Sequence, residues 1–311
     1  MSSPTSDLVS RLRAIYSETN GETFATSLVA LFAEESWATA FDGSDNRWYG
    51  PRKILEQWLL PETETHRDYR RDLGPVWVSG TNVLIFSKVS CSVGSGPDAE
   101  WLALDVFQTS DGRIVSARFG NDTIARQSLD RQIDATGMWA AIEASWSPVT
   151  TAANRVGMKF VTDQKSAPGT AEERYRPIME RQTDDCQMWS WEVDGLLHLA
   201  DREAVDRDFW EPLFPLIPDF VEAVEQPLIF GNALLLVQNP AGTFTNAHGQ
   251  HTFSAWYNLD IYVFEGDRVN RLFFARDTFK DETQMLAAFD GAPPPDLPGS
   301  IHLAPFASAD E

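Results

Sequence analysis

Cysteine and basic charge are both scarce in this chain of 311 residues. The two cysteines, Cys91 and Cys186, have no metal-like spacing, so we expect two buried free thiols in a reducing compartment. Lys and Arg number 25 against 46 Asp and Glu, which gives a formal net charge of −21. A nucleic-acid binder needs a basic stripe to displace counterions, so this balance argues against nucleic acid as a partner. We expect the local group Arg67, Arg70 and Arg71 to be the solvated face of a strand.

Long apolar runs and cofactor fingerprints are also missing. The longest apolar stretches, such as 233–237, are far shorter than a membrane span, so no membrane partner is expected. The first 18 residues lack the basic and apolar regions of a secretory signal, and the expected location is cytoplasmic. The sequence shows no phosphate loop, no GxSxG and no nucleotide, flavin or metal fingerprint, so we expect neither cofactor nor metal.

The chain does contain an internal repeat. A Leu-Asp pair, a turn, an Arg with a β-branched residue, a Phe and a closing Asp-Thr recur at an offset of 155 residues, in LDVFQTSDGRIVSARFGNDT (104–123) and LDIYVFEGDRVNRLFFARDT (259–278). Two further matches lie upstream in the same order: 82–86 with 232–236, and 41–43 with 193–195. Three matches in order indicate a tandem duplication.

Helical periodicity comes first in each repeat and strand patterns follow, which predicts an α+β fold. The predicted helices are 6–16, 23–34 and 51–59 in the first repeat and 149–163, 170–181 and 202–209 in the second. The predicted strands are 65–73, 76–89, 100–109 and 113–122, then 220–226, 233–239, 252–264 and 268–277, with a hairpin turn at Asp111-Gly112.

The stretch LFAEESWATAFDG…YGPRKILEQW, the His-Arg strand start and LDVFQTSDGRIV together resemble the SnoaL-like, ketosteroid-isomerase-like branch of the nuclear transport factor 2-like superfamily. The resemblance covers nearly all of the first repeat and, more loosely, the second. It implies two tandem cone-shaped α+β barrels, each a curved antiparallel sheet wrapped on helices. The expected parts are repeat 1 (1–125), a helical connector (126–147), repeat 2 (148–290) and a proline-rich tail (291–311). Such a chain is a pseudo-dimer in itself, and further homo-oligomerisation is left open.

Asp105 and Asp260 hold matching places in the penultimate strand of each repeat. In ketosteroid isomerases, the resemblance places a protonated Asp here as hydrogen-bond donor to an oxyanion, a case that serves as a standard example of a carboxylic acid kept neutral by its apolar site. A structural hydrogen-bonding role is the alternative. Strand alternation adds aromatic and polar neighbours suited to a cavity wall: Trp101, Ala103 and Phe107, and Ser254, Trp256, Asn258 and Tyr262.

Candidate bases lie elsewhere in each repeat. The resemblance places a general base near Asp42 in the first repeat and near Glu192 and Asp194 in the second, although Asp-Gly at 42–43 and 194–195 also fits a simple turn. His66 lies where SnoaL-like dehydratases often carry a histidine paired with an Asp. An Asp42–His66 dyad would supply a base with a near-neutral pKa, and an exposed histidine in a polar run is the alternative.

Eleven tryptophans are many for this length, and most must lie in the core. Some, with a neighbouring tyrosine, are expected near the cone mouth, where they would suit an aromatic ligand: Trp48, Tyr49, Trp189 and Trp191. The leading hypothesis is a cofactor-independent lyase or isomerase acting by acid–base chemistry on a hydrophobic, aromatic or polyketide-like molecule. The alternatives are an epoxide hydrolase or epoxide-opening cyclase, and a non-catalytic small-molecule-binding or scaffold protein.

Overall fold

The structure, a computed structural model, divides the chain into two compact units, Met1–Ala144 and Ser145–Glu311. It describes residues 4–40, 47–65, 67–92, 98–121, 133–192, 195–245, 251–255 and 257–276. Each unit combines a mixed sheet with helices, so the expected α+β class with two tandem copies is confirmed. No helix within these ranges is both long and apolar enough to cross a membrane.

Unit 1 places two helices before its sheet and a broken helix after the second strand. The helices are α1 (Pro4–Tyr16), α2 (Gly21–Val29), α3 (Pro51–Ile54) and α4 (Leu60–Thr65), with a π-helical turn at Leu55–Leu59 between α3 and α4. The strands are β1 (Phe32–Ala40), β2 (Arg47–Tyr49), β3 (Arg67–Ser79), β4 (Asn82–Ser92), β5 (Asp98–Ser110) and β6 (Arg113–Asn121). They lie in the order β2-β1-β6-β5-β4-β3, and only the β1–β6 pair is parallel.

Unit 2 repeats this order after helix α5 (Thr136–Ser145), which ends at the boundary between the units. Its helices are α6 (Ala152–Lys165), α7 (Ala171–Glu180), α8 (Arg202–Val205) and α9 (Glu211–Leu216), again with a π-helical turn, Asp206–Trp210, inside the third helical segment. Its strands are β7 (Gln182–Glu192), β8 (Gly195–Leu199), β9 (Val221–Phe230), β10 (Ala233–Thr245), β11 (His251–Ala255), β12 (Asn258–Glu265) and β13 (Arg268–Arg276).

The sheet of unit 2 runs β8-β7-β13-β12-β10, with β9 on the far side of β10. Strands β11 and β12 keep one register against β10, so together they match the single strand β5 of unit 1. The strand pair β7–β13 is parallel, as β1–β6 is. The two units therefore share strand order, strand direction and register, which is the arrangement that a tandem duplication predicts.

Local sequence signals explain where several elements begin and turn. Thr151 and Thr170 each form a reciprocal capping box, which satisfies free backbone donors at the starts of α6 and α7. The turn between β5 and β6 has Asp111 and Gly112 both at positive φ, 51° and 74°, as a type I′ hairpin requires. This turn was predicted from the Asp-Gly pair.

Two local predictions were wrong. The second helix ends at Val29 and not at Glu34, because Phe32–Ala40 is a strand with buried residues in near alternation. The predicted strand 76–89 is two strands joined by a tight turn at Gly80, whose φ of 58° suits glycine. The predictions missed β7 in the same way, since it directly follows α7.

Candidate acid–base sites of the two units

Asp105 lies at the centre of a buried polar network in unit 1. Its Oδ2 accepts hydrogen bonds from the Tyr16 hydroxyl and from Nη1 of Arg71, both at 2.5 Å. Arg71 also donates to the Tyr69 hydroxyl at 2.8 Å and to Oγ of Ser87 at 3.2 Å. All these side chains are buried. The expectation that Arg71 is solvated was wrong, because its guanidinium lies under α1 and α2 near the rings of Tyr16 and Phe24.

Asp260 has the matching place in unit 2, but its network contains a second carboxylate. Lys165 donates to Glu222 and, at 3.2 Å, to Oδ2 of Asp260. The amide of Gln238 donates to Glu222 at 2.7 Å and also to Oδ2 of Asp260. The Tyr175 hydroxyl donates to Glu222 at 2.7 Å. All five side chains are buried.

Strand register shows that the two networks occupy equivalent positions. Arg71 pairs with Val89 as Glu222 pairs with Pro240, and Asp105 pairs with Ile85 as Asp260 pairs with Leu236. Tyr16 and Lys165 are each the last residue of the first helix of the unit. The equivalent sets are therefore Tyr16, Arg71, Ser87 and Asp105 in unit 1, and Lys165, Glu222, Gln238 and Asp260 in unit 2. The cationic residue is therefore on strand β3 in unit 1 and on helix α6 in unit 2.

This change alters the charge of the cluster. Arg71 forms an ion pair with one carboxylate, Asp105, in unit 1, whereas Lys165 contacts two carboxylates in unit 2. Burial raises the pKa of Asp260 well above its usual value of 3.8, and the neighbouring Glu222 raises it further against the opposing effect of Lys165. Burial also raises the pKa of Asp105, where Arg71 and its hydrogen bonds oppose the rise. Unit 2 thus favours a neutral carboxylic acid at Asp260.

The hydrogen bonds of Asp260 divide unevenly between its two oxygens. Oδ2 accepts from Lys165 and Gln238, whereas Oδ1 accepts from no donor among the described residues. A hydrogen bond with Glu222 is among the causes that raise the pKa of Asp260, so the two carboxyl groups lie close enough to share a proton. Oδ1 is the oxygen of Asp260 that is left without a described donor.

Other polar atoms on the same side of the sheet of unit 2 are also unpartnered. We define this side, on which Lys165 and Tyr175 pack, as the inner face. Strand pairing places Ser190, Phe274 and Asp260 in one row across it, and alternation places Asn258 and Tyr262 on the same face. Within the described part of the chain, the following buried atoms have no hydrogen-bond partner: Ser190 Oγ, Trp210 Nε1, Asn258 Oδ1, Asp260 Oδ1 and the Tyr262 hydroxyl. Burial, Asp260 and Glu222 raise the pKa of Tyr262, which keeps its hydroxyl protonated.

Unit 1 is apolar at most of the equivalent positions. Register and the π-helical turns match Ser190 with Ala40, Trp210 with Leu59, Asn258 with Ala103 and Tyr262 with Phe107. Only Asp105 keeps the polar residue, and its Oδ1 is likewise unpartnered. An unpaired buried polar atom costs about 1–3 kcal/mol. The fold holds apolar side chains at four of these five positions, so the polar set of unit 2 is not required for folding.

Several residues expected to bind a ligand lie apart from these networks. Trp48 is buried and stacks on Trp58 with ring centroids 5.2 Å apart, whereas Tyr49 on the edge strand β2 is 60% exposed. Trp189 and Trp191 are buried, and strand alternation turns both to the face opposite Asp260. The ring of Trp189 stacks between Phe273 and His198 instead.

Trp101 lies on the same face of the sheet as Asp105, and Asn258 lies on the same face as Asp260. Trp101 is buried, and its indole N–H donates to Oδ1 of Asn121 at 3.3 Å. The predicted sharing of one face by Ala103, Asp105 and Phe107 is consistent with the observed register.

The remaining predicted site residues are not described. Four of them lie outside the described residues: Asp42, His66, Asp194 and Trp256. Two lie in described strands, but their side chains are not described: Glu192 at the end of β7 and Ser254 in β11. The Asp42–His66 dyad and the bases of repeat 2 therefore remain predictions.

Lys165, Glu222 and Gln238 were not among the predicted site residues. The available signal for Lys165 was position: it is the only charged residue on the buried stripe of α6. No group of three or more His, Cys, Asp or Glu side chains in the described ranges is placed to hold a metal ion.

Comparison with known proteins finds no matching family model and no matching curated protein. Among solved structures, the chain is similar to an NTF2-like protein from Burkholderia thailandensis, with 17% identity over 42% of this chain and 100% of that one and a TM-score of 0.36. It is similar to a phenazine biosynthesis-related protein from Pseudomonas aeruginosa, with 12% identity over 57% and 98% and a TM-score of 0.37. It is also similar to a hypothetical protein of ketosteroid isomerase-like fold from Catenulispora acidiphila, in complex with trimethylamine, with 15% identity over 46% and 98% and a TM-score of 0.31. None of these names assigns an activity to this chain.

Proposed function

We propose that this protein is a cofactor-independent acid–base enzyme, a lyase or isomerase, whose working site is the inner face of unit 2. The observation that carries the proposal is the unpartnered Oδ1 of Asp260, in a carboxyl group whose pKa is raised by burial. The unpartnered Tyr262 hydroxyl lies two residues along the same strand. Unit 1 has Phe107 at the place of Tyr262, so this pair of donors belongs to unit 2 alone among the described residues.

In this proposal, Asp260 and Tyr262 donate hydrogen bonds to a carbonyl oxygen of the substrate. A base removes a proton from the adjacent carbon, the C–H electron pair forms a carbon–carbon double bond, and the carbonyl electron pair moves to oxygen. Donors that are already in place stabilise the resulting oxyanion without reorganisation. Return of the proton to another carbon gives isomerisation, and loss of a leaving group gives elimination.

Glu222 is the base that we propose, because it is the carboxylate in direct contact with the Asp260 network. Lys165 contacts both carboxylates, and its charge opposes the rise in the pKa of Asp260 that burial and the neighbouring Glu222 cause. Glu192 and Asp194, the bases expected from the sequence, are alternatives from the same unit.

The experiment is hydrogen–deuterium exchange at the enolisable carbon of 2-tetralone, a two-ring ketone, in D2O and followed by proton NMR. We expect the protein to accelerate exchange, and Asp260→Asn and Glu222→Gln to reduce the acceleration about 100-fold or more. Asp105→Asn, or Tyr16→Phe if that variant is unstable, makes the matched change in unit 1 and should leave the rate unchanged. No acceleration by the wild type, or loss only in the unit 1 variants, would contradict the proposal.

Epoxide opening is a second candidate, favoured by the presence of two carboxylates in one cluster. One carboxylate would take a proton from water as the water oxygen attacks an epoxide carbon, the C–O bond would break, and the acid would protonate the released oxygen. Hydrolysis of indene oxide in H2(18)O tests this directly. A labelled diol formed by the wild type but not by Glu222→Gln or Asp260→Asn would favour hydrolysis over isomerisation. Ligand binding without any turnover would favour the non-catalytic alternative.

A further inference from the structure

One row of side chains on the inner face of unit 2 indicates the shape of the ligand. Ser190 on β7, Phe274 on β13 and Asp260 on β12 are directly paired neighbours across three adjacent strands. The two polar residues thus flank an aromatic ring. Neighbouring strands lie about 4.8 Å apart, so the backbones of Ser190 and Asp260 are about 9.5 Å apart.

Both ends of this row present an unused polar atom. Ser190 is fully buried, and its Oγ has no hydrogen-bond partner among the described residues, as is true of Oδ1 of Asp260. A buried hydroxyl that lacks a partner carries a desolvation cost, which a ligand oxygen can remove. Two separate oxygen functions of one ligand would match a spacing of two strands.

The equivalent row of unit 1 contains Ala40, Phe119 and Asp105. The aromatic residue and the acid are therefore common to both units, and the hydroxyl is specific to unit 2. Because alanine fits at this position in an otherwise matching sheet, packing does not explain the serine.

We infer that the site of unit 2 takes a flat, two-ring molecule with oxygen functions at both ends, one bound by Asp260 and the other by Ser190. The inference rests on the proposed function for the identity of the reacting end. Phe274 supplies the apolar surface for the rings, and the rings of Trp210 and Tyr262 lie beside it, with centroids 6.1 and 5.9 Å from that of Phe274. Ser190 is thus a specificity-determining residue and takes no part in proton transfer.

The test compares the binding of 2-naphthol, which has one hydroxyl, with that of 2,6-dihydroxynaphthalene, which has one at each end, by isothermal titration calorimetry. We expect the wild type to bind the diol about fivefold more tightly, the gain from one additional hydrogen bond. Ser190→Ala should bring the ratio of the two dissociation constants to about one and leave the affinity for 2-naphthol unchanged. Ala40→Ser, the matched change in unit 1, should leave the ratio at its wild-type value.

An unchanged ratio in Ser190→Ala, or no binding of either probe, would overturn the inference. The calorimetric test is independent of the test of the proposed function, because it measures binding and not hydrogen–deuterium exchange. If 2-tetralone exchanges but Ser190→Ala leaves the binding ratio unchanged, the Ser190 subsite is contradicted and the proposed function is supported. If the binding ratio changes as expected but 2-tetralone does not exchange, the two-ended ligand is supported and the proposed function is contradicted.

Discussion

Arg71 and Glu222 occupy the same position in the two units and carry opposite charges. Each lies on the strand that follows the broken helix of its unit. Arg71 donates a hydrogen bond to Ser87 on the neighbouring strand, and Glu222 accepts one from Gln238 at the equivalent position. In unit 1 the positive charge at this position pairs with Asp105. In unit 2 the negative charge requires a cation from elsewhere, which Lys165 supplies from α6. One fold thus holds a neutral ion pair and a proton-sharing carboxylate pair at equivalent places.

Arg71→Met should destabilise unit 1 strongly. The substitution removes the partner of a fully buried carboxylate, and breaking a buried pair in this way costs about 3–5 kcal/mol. Urea unfolding followed by tryptophan fluorescence measures the change. Arg52→Met removes an exposed pair with Glu56 one helical turn away and should give no measurable shift. Equal effects of the two substitutions would mean that the Arg71–Asp105 pair does not support the fold.

Asp260 should make stability fall as the pH rises above about 4. The folded-state pKa of this carboxyl lies well above its ordinary value of 3.8, so above pH 4 the unfolded chain releases a proton that the folded chain retains. The contribution is therefore fully present below the unfolded pKa and is lost progressively as the pH rises toward the folded pKa, by up to about 1.4 kcal/mol per pH unit. Unfolding midpoints in urea between pH 4 and 8 should decline less steeply in Asp260→Asn than in the wild type. Parallel pH profiles would show that Asp260 is ionised in the folded protein.

Tyr262→Phe should preserve or slightly raise stability. The hydroxyl has no hydrogen-bond partner among the described residues, and Phe107 shows that the fold accepts phenylalanine at this position. The reverse change in unit 1, Phe107→Tyr, buries a new unpaired hydroxyl and should cost about 1–3 kcal/mol. Thermal unfolding of the two variants checks this asymmetry. A clear loss of stability in Tyr262→Phe would indicate that its hydroxyl supports the fold.

Two equivalent glycines should differ in their tolerance of alanine. Gly80 and Gly231 hold the same place in the β3–β4 and β9–β10 turns, with φ values of 58° and 63°. A Cβ on Gly80 would meet nothing within 4 Å, whereas one on Gly231 would lie 1.8 Å from the backbone oxygen of Ser147. Gly80→Ala should cost about 1 kcal/mol from the left-handed backbone alone. Gly231→Ala should cost clearly more in the same urea experiment, and equal costs would contradict the close approach of Ser147.

The sequence predicts much of the fold because the same patterns occur in both repeats in the same order. The shared Leu-Asp and Asp/Gly signals fixed the penultimate and last strands of both units, and helical periodicity located the helices before them. Strand β7 was missed because it directly follows a helix and contains polar residues that weaken its alternation. Short π-helical turns also leave no distinct sequence pattern.

The candidate site was only partly predictable. Asp105 and Asp260 were found because a shared position points to a shared environment. Arg71, Lys165 and Gln238 come from elements distant in sequence, and only the folded sheet brings them to the Asp residues. No sequence pattern could show that the cation moves from β3 in one unit to α6 in the other.

The most direct test is a crystal structure of the protein soaked with 2-naphthol. We expect ligand density on the inner face of unit 2, with the ligand oxygen within hydrogen-bond distance of Oδ1 of Asp260 and the Tyr262 hydroxyl, and no ligand density at Asp105. Density at Asp105 alone, or an inner face of unit 2 that remains closed by protein side chains at saturating ligand, would contradict it.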